Sequence, residues 1–409
     1  MNAPKRLLTA MSAAIAGITW WAAAAGRPPK GFIDDNENKH WRIPLMNKSS
    51  LGFLLTPFAV DPQRRYVRLA SLDIIRCLAI LAMIILHSLM IYASPATLKQ
   101  PIALFIMLCG TAPGAPTFMF IMGLLFVYSY PQNMPYYLIR GLKLVLLGYL
   151  LSLLRFILPT ELAQYLGASA DLWLPWTREL FFRNVDILQF AGIALGLLTL
   201  MRHFVRRPIF VMLLLIAVIV ISPYLWGIKS GLAPLDWILD LLWGNGFHVS
   251  FPLFPWLVYP LAGYIFGQWL IVSNGTSAFF TAARSIGGFI FIGGVAWGLT
   301  NIGFHFGDYY RAGYGGTIAM IGFAILYVST VELVCRRAGI SGRIGMVSFL
   351  SDNLTSLYMI HWIIIGWGML SGLPHRLSLS GCLVVIAVVS LLSYLALFGY
   401  RYIGRKTGA

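Results

Sequence analysis

Ten runs of about twenty apolar residues follow one another after residue 70, at roughly 72–93, 101–128, 136–158, 184–202, 208–227, 252–272, 283–304, 313–335, 347–371 and 379–402. A run of that length crosses the hydrocarbon core of a bilayer as a helix. Lipid offers nothing to hydrogen-bond an open backbone, so helices are the economical way to satisfy it. The chain is 59% hydrophobic and 11% charged, where a soluble domain carries about 25% charged residues. The expected fold is therefore all-α: a polytopic integral membrane protein with a ten-helix transmembrane bundle. No internal repeat or low-complexity tract interrupts it, and no loop among the spans is long enough to be a separate domain.

The formal charge of +16 is distributed along the chain. One set of alternate loops and span ends carries Arg64, Arg65, Arg68, Arg140, Lys143, Arg202, Arg206, Arg207, Arg284, Arg336, Arg337, Arg343, Arg401, Arg405 and Lys406; the other carries Lys99, Arg178, Arg183, Lys229, Arg311 and Arg376. The positive-inside rule then places both ends of the ten-helix core in the cytoplasm. No basic domain stands apart from the spans, so the charge points to topology and anionic lipid, not to nucleic acid. Cys77, Cys109, Cys335 and Cys382 lie scattered in apolar runs without a CxxC pair. They are expected to be small core residues, neither a disulfide framework nor a metal site. Three segments result: an N-terminal extension over 1–65 (apolar stretch 7–25, polar linker 27–63), a membrane domain over 66–402 and a tail over 403–409. The apolar stretch reads as an interfacial segment or the product of a misassigned start in preference to a cleaved signal.

Polar residues inside such spans are costly and mark function or pairing. In RCLAILAMIILH, Arg76 and His87 are eleven residues apart. Eleven steps of about 100° close within about 20° of three turns, so the two share a face, about 16 Å apart along the axis. Asp73 is placed to pair with Arg76 one turn away. Arg140 and Lys143, at i and i+3, either hold the phosphates of a nucleotide-like donor or snorkel to headgroups. Asp186 and Gln189 either bind a hydroxylated acceptor or cap a helix. Trp256, with Phe254, is either a sugar-stacking platform or part of an interfacial aromatic belt, and His248 reads as a loop histidine. The stretch SDNLTSLYMIHW carries Asn353, Tyr358 and His361. His361 is a second acid–base group, an orienter or a helix–helix hydrogen bond. The chain lacks a phosphate-binding GxxxxGK[ST] loop, a GxSxG elbow and an HExxH pair. That leaves His87 as the strongest general-base candidate.

The stretch RLASLDIIRCLAILAMIILH resembles the signature first helix of the transmembrane acyltransferase (acyltransferase-3) superfamily. The branch it is most similar to is that of the heparan-alpha-glucosaminide N-acetyltransferase catalytic domain and its bacterial relatives. Four further stretches resemble the family in order: APTFMFIMGLLF, VDILQFAGIAL, FPLFPWLVYPLAGYIFG and LTSLYMIHW. The resemblance covers roughly residues 66 to 402. Cys77 stands where the family usually has Gly, and the eukaryotic enzyme's key histidine is placed differently, in a lumenal segment after its first helix. This leaves open whether His87 is a base or a nucleophile.

The resemblance implies transfer of an acyl group, acetyl above all, from cytoplasmic acyl-CoA to a glycan or lipid-linked sugar on the far side, without a metal. It casts Arg76, Arg140 and Lys143 as the CoA grip and His87 with His361 as the catalytic pair. Asp186, Gln189, Trp256, Asn353 and Tyr358 become the acceptor contacts. The expected setting is the bacterial inner membrane, in a lipid bilayer, as a monomer or an oligomer, with the cell envelope's glycans as targets. The alternative is a secondary transporter of a sugar, lipid or small amphipathic solute, which ten spans with midplane polar groups allow.

Overall fold

The structure, a computed structural model, describes residues 68–128, 133–167, 177–205 and 207–406. The expectations for residues 1–65 lie outside these. The described residues form helices and no strands, with isolated backbone bridges only at Ala93–Leu377 and Val185–Val249. The helices are α1 (Ala70–Tyr92), α2 (Pro101–Thr111), α3 (Ala115–Tyr128), α4 (Met134–Ser152), α5 (Leu158–Tyr165), α6 (Ile187–Phe204), α7 (Pro208–Leu225), α8 (Ala233–Trp243), α9 (Val258–Val272), α10 (Ser277–Gly298), α11 (Tyr314–Arg337), α12 (Gly345–Asp352), α13 (Leu354–Gly368) and α14 (Leu379–Lys406), with short turns between.

Among the described residues, nine helical segments are long and apolar enough to cross a membrane. They correspond to nine of the ten expected spans. The remaining one, 252–272, becomes a short turn at Leu253–Trp256 followed by α9. Helix α9 is buried on most of its surface, against α3. Gly123 there faces the Pro260 backbone and Gly263 faces the Phe120 carbonyl, so either Cβ would collide with the opposite helix. Close packing through small residues is how helices associate where lipid removes the hydrophobic drive. The same device joins α4 to α6, where Gly141 lies on the Gly192 backbone.

Two expected spans are each divided. The 101–128 run breaks between α2 and α3 at residues 112–114, and the 347–371 run breaks at Asn353 between α12 and α13. The third expected span continues past its α-helical part. Leu153–Ile157 is a π-helical turn leading into α5, so the segment runs from Met134 to Tyr165.

The bundle has a basic end, where Arg68, Arg202, Arg336, Arg343 and Arg401 lie, and an opposite end that holds α8 and the start of α6. At the basic end Asp73 acts on Arg76 electrostatically but makes no close ion pair with it, contrary to what the spacing suggested. Its carboxylate accepts from Arg68 (2.7 and 3.0 Å), Ser348 (3.2 Å) and Ser351 (2.8 Å). The two serines come from α12, which the sequence could not place beside α1. Nor are all four cysteines core residues: Cys109 of α2 is exposed, although all four are free. His248 lies in a turn between helices and is buried, with Nε2 3.2 Å from Asp240.

Candidate active site

Helices α1 and α13 bring His87 and His361 together. His87 Nδ1 lies 3.0 Å from His361 Nε2, and the two rings are nearly coplanar, 4° apart. The other nitrogen of His361, Nδ1, is 3.0 Å from the Leu357 carbonyl one turn back. A carbonyl only accepts, so His361 Nδ1 carries the hydrogen. In the neutral ring Nε2 is then the acceptor, and His87 Nδ1 donates to it. His87 Nε2 is left with a free lone pair, the state a general base requires. His361 is fully buried, whereas His87 keeps partial exposure.

Beside the pair, Trp362 packs on His87 with centroids 4.2 Å apart. Arg155 stacks on Trp362, its guanidinium carbon 4.4 Å from the ring centroid, and lies the same distance from its neighbour Phe156. Arg155 is 2% exposed. A guanidinium held that deep must be compensated. Asp186 does so, with Oδ2 2.6 Å from Arg155 Nη2, an electrostatic contact without good hydrogen-bond angles. The Asn184 amide, oriented by its neighbours, accepts from the same Nη2 at 2.7 Å and donates to the His248 carbonyl at 2.8 Å. Tyr358 donates to Asp186 Oδ1 at 2.8 Å. Asp186 thus joins Arg155 of the π-turn to Tyr358 of α13.

Asp186 is also the N-cap of α6. Its Oδ1 accepts from Ile187 N at 2.6 Å, and Gln189 Oε1 accepts from Asp186 N at 3.2 Å, a reciprocal capping box. The Gln189 amide further donates to the Asn184 carbonyl at 3.1 Å. Gly148 of α4 is a position where no Cβ fits beside Gln189. Gln189 serves the cap, while Asp186 caps and also anchors the arginine and tyrosine.

At the basic end, Arg76 lies within electrostatic reach of Arg140, Asp73 and Asp352. Arg140 Nε is buried with no hydrogen-bond partner among the described residues, and so is Arg202 Nη1, whose guanidinium lies over Phe126 at 5.7 Å. Unsatisfied buried donors on cations suit an anionic guest. Lys143 is half-buried one turn along α4 from Arg140.

Two expected acceptor contacts lie away from the histidines. Trp256 is fully buried; its indole nitrogen donates to the Tyr310 carbonyl at 2.8 Å, and the edges of Phe251, Tyr259 and Tyr309 surround it. Asn353 sits at the basic end, where its oxygen accepts from Arg401 at 2.5 Å. Sequence reasoning missed Arg155, Trp362 and the orphaned donor of Arg202. Arg155 was visible as a charge inside an apolar run, and Trp362 as the neighbour of His361. No group of three or more metal-ligating side chains occurs among the described residues.

The apolar helices, with a histidine pair on α1 and α13 and a cluster of cations towards one end of the bundle, define a membrane-embedded helical protein with a candidate acid–base site. Residues 68–296, more than half of the 409, match the family model described as heparan-alpha-glucosaminide N-acetyltransferase, catalytic, and the chain belongs to that family. No curated protein and no solved structure matches it. The family match includes His87, Arg155 and Asp186; Tyr358, His361 and Trp362 come from the part of the chain beyond it.

Proposed function

We propose that the protein takes an acetyl group from acetyl-CoA at its basic end and passes it to an amino or hydroxyl group of a sugar, in a glycan or on a lipid carrier, that reaches the histidine pair from the opposite end. The observation that carries this reading is the free Nε2 lone pair of His87, about 16 Å along one helix face from Arg76. The excess of Lys and Arg at the Arg76 end makes that end cytoplasmic, where acetyl-CoA is found. Arg76, Arg140, Lys143 and Arg202 hold the phosphates, and the extended pantetheine arm carries the thioester towards His87.

In the transfer step His87 Nε2 removes the proton from the acceptor O–H or N–H as that atom attacks the thioester carbonyl. The C–S bond breaks, and the proton passes to the departing CoA sulfur. His361 keeps the His87 ring in one tautomer and stabilises the imidazolium that forms. An acetyl group carried briefly on His87 would begin from the same lone pair.

The test is acetyl-CoA turnover by the purified protein in lipid, with amino sugars and envelope glycans as acceptors, for wild type, His87→Ala and Arg76→Ala. CoA release is expected to need an acceptor and to vanish in His87→Ala. Release that persists in that variant would remove His87 from the role of base.

A further inference from the structure

Arg155 is the most deeply buried cation among the described residues, and its position depends on an irregular piece of backbone. In the π-turn Leu158 N donates to the Leu153 carbonyl, which leaves the Leu154 carbonyl without its usual partner. Trp367 of α13 fills that gap, its indole nitrogen donating at 3.1 Å. Pro159 has no N–H to offer the Arg155 carbonyl. That carbonyl lies against Gly366 of α13, where any Cβ would overlap it. The turn and α13 are therefore interlocked at Trp367 and Gly366. One turn back along α13, Trp362 contacts both the Arg155 guanidinium and the His87 ring.

We propose that Arg155 is a positioning residue: from the π-turn it holds Trp362 against His87, and through Asp186 and Tyr358 it fixes the rotation of α13, so that His361 stays in line with His87. Among the described residues no hydrogen bond joins the guanidinium to either histidine. It acts through the face of Trp362, where a cation–π contact in a desolvated site is favourable, and through the Asp186 carboxylate. Lysine keeps the charge but not the planar, stacking fork. This role deepens the proposed transfer reaction, but its geometric content stands without it.

The test therefore has two readouts, applied to the full-length protein in lipid. The first is labelling of individual histidines by diethyl pyrocarbonate, read by peptide mass spectrometry, which needs no substrate. In wild type His87 is expected to label and His361 to be protected. In Arg155→Met and in Trp362→Leu, His361 labelling is expected to rise at least tenfold, with Arg155→Lys between and Trp362→Phe close to wild type. The second readout is acetyl-CoA turnover, where Arg155→Met is expected to lower kcat about a hundredfold with KM for acetyl-CoA unchanged within twofold, because the cation cluster at the basic end is untouched. His361 labelling unchanged within twofold in both Arg155→Met and Trp362→Leu would overturn the proposal. So would a matched loss in kcat and KM. If Arg155→Met does not fold, Trp362→Leu decides by the same criteria. Absence of turnover in wild type, with the labelling pattern as expected, would sink the acetyltransferase reading and leave the positioning role standing.

Discussion

His87 Nδ1 and His361 Nε2 meet at 3.0 Å although 274 residues separate them in the chain. The contact gives the pair a direction, because the Leu357 carbonyl fixes the hydrogen on the far side of His361. The two histidines therefore have different parts: His87 presents a lone pair, and His361 keeps it in the right tautomer.

Substituting the two should separate these parts. His87→Ala removes the base, and acetyl transfer is expected to fall to background. His361→Ala leaves the base but frees its tautomer, and a loss of about 10²–10³ in kcat is expected, within the span of general-base effects. Steady-state kinetics on both variants checks this; equal and total loss would give His361 a direct part in the chemistry.

The buried, unpartnered donors of Arg140 and Arg202 predict a donor-side effect. Arg140→Gln or Arg202→Gln is expected to raise KM for acetyl-CoA about tenfold, with kcat changed little, since one charge-assisted hydrogen bond contributes about 1.5–3 kcal/mol. The effect should be greater for acetyl-CoA than for a truncated acetyl thioester without the nucleotide. A KM that does not move for either variant would place the CoA phosphates elsewhere.

Gly366 faces the Arg155 carbonyl with no room for a methyl group. Gly366→Ala is expected to push α13 from the π-turn, at a cost of about 1–3 kcal/mol as in other overpacked sites. A thermal melt in detergent should show the lower midpoint, while Gly399→Ala, at a position with nothing near, should leave it in place.

The opposite end predicts a pH dependence. Burial by itself would raise the pKa of Asp240, but hydrogen bonds from His248, Lys229 and Arg183 outweigh it and hold the carboxyl well below its ordinary range. A carboxylate depressed in the folded state contributes stability above its unfolded pKa and loses it as pH falls through the folded value. Stability from this network is therefore expected to be complete at neutral pH and to be lost progressively as pH falls below about 4. Asp240→Asn should lower the midpoint at pH 7 and flatten its fall below pH 4; melts of both proteins across that range measure it.

By itself the sequence determined that this chain crosses a membrane as helices, because about twenty apolar residues cannot leave their backbone unpaired in lipid. It also determined which residues share a face of one helix, as with Arg76 and His87 or Tyr358 and His361, since the 3.6-residue period is local. It did not determine partners between helices. Asp73 lies within reach of Arg76 by spacing, yet Arg68 and the serines of α12 take it. Nor could the sequence show that Asn353 accepts from Arg401 or that Trp256 donates to the Tyr310 carbonyl. Arg155 was hardest to place, because a π-turn shifts the helical register and no periodic pattern carries through it. Only the tertiary structure, which interlocks that turn with α13, brought an arginine, a tryptophan and two histidines from three separate stretches of chain into one cluster.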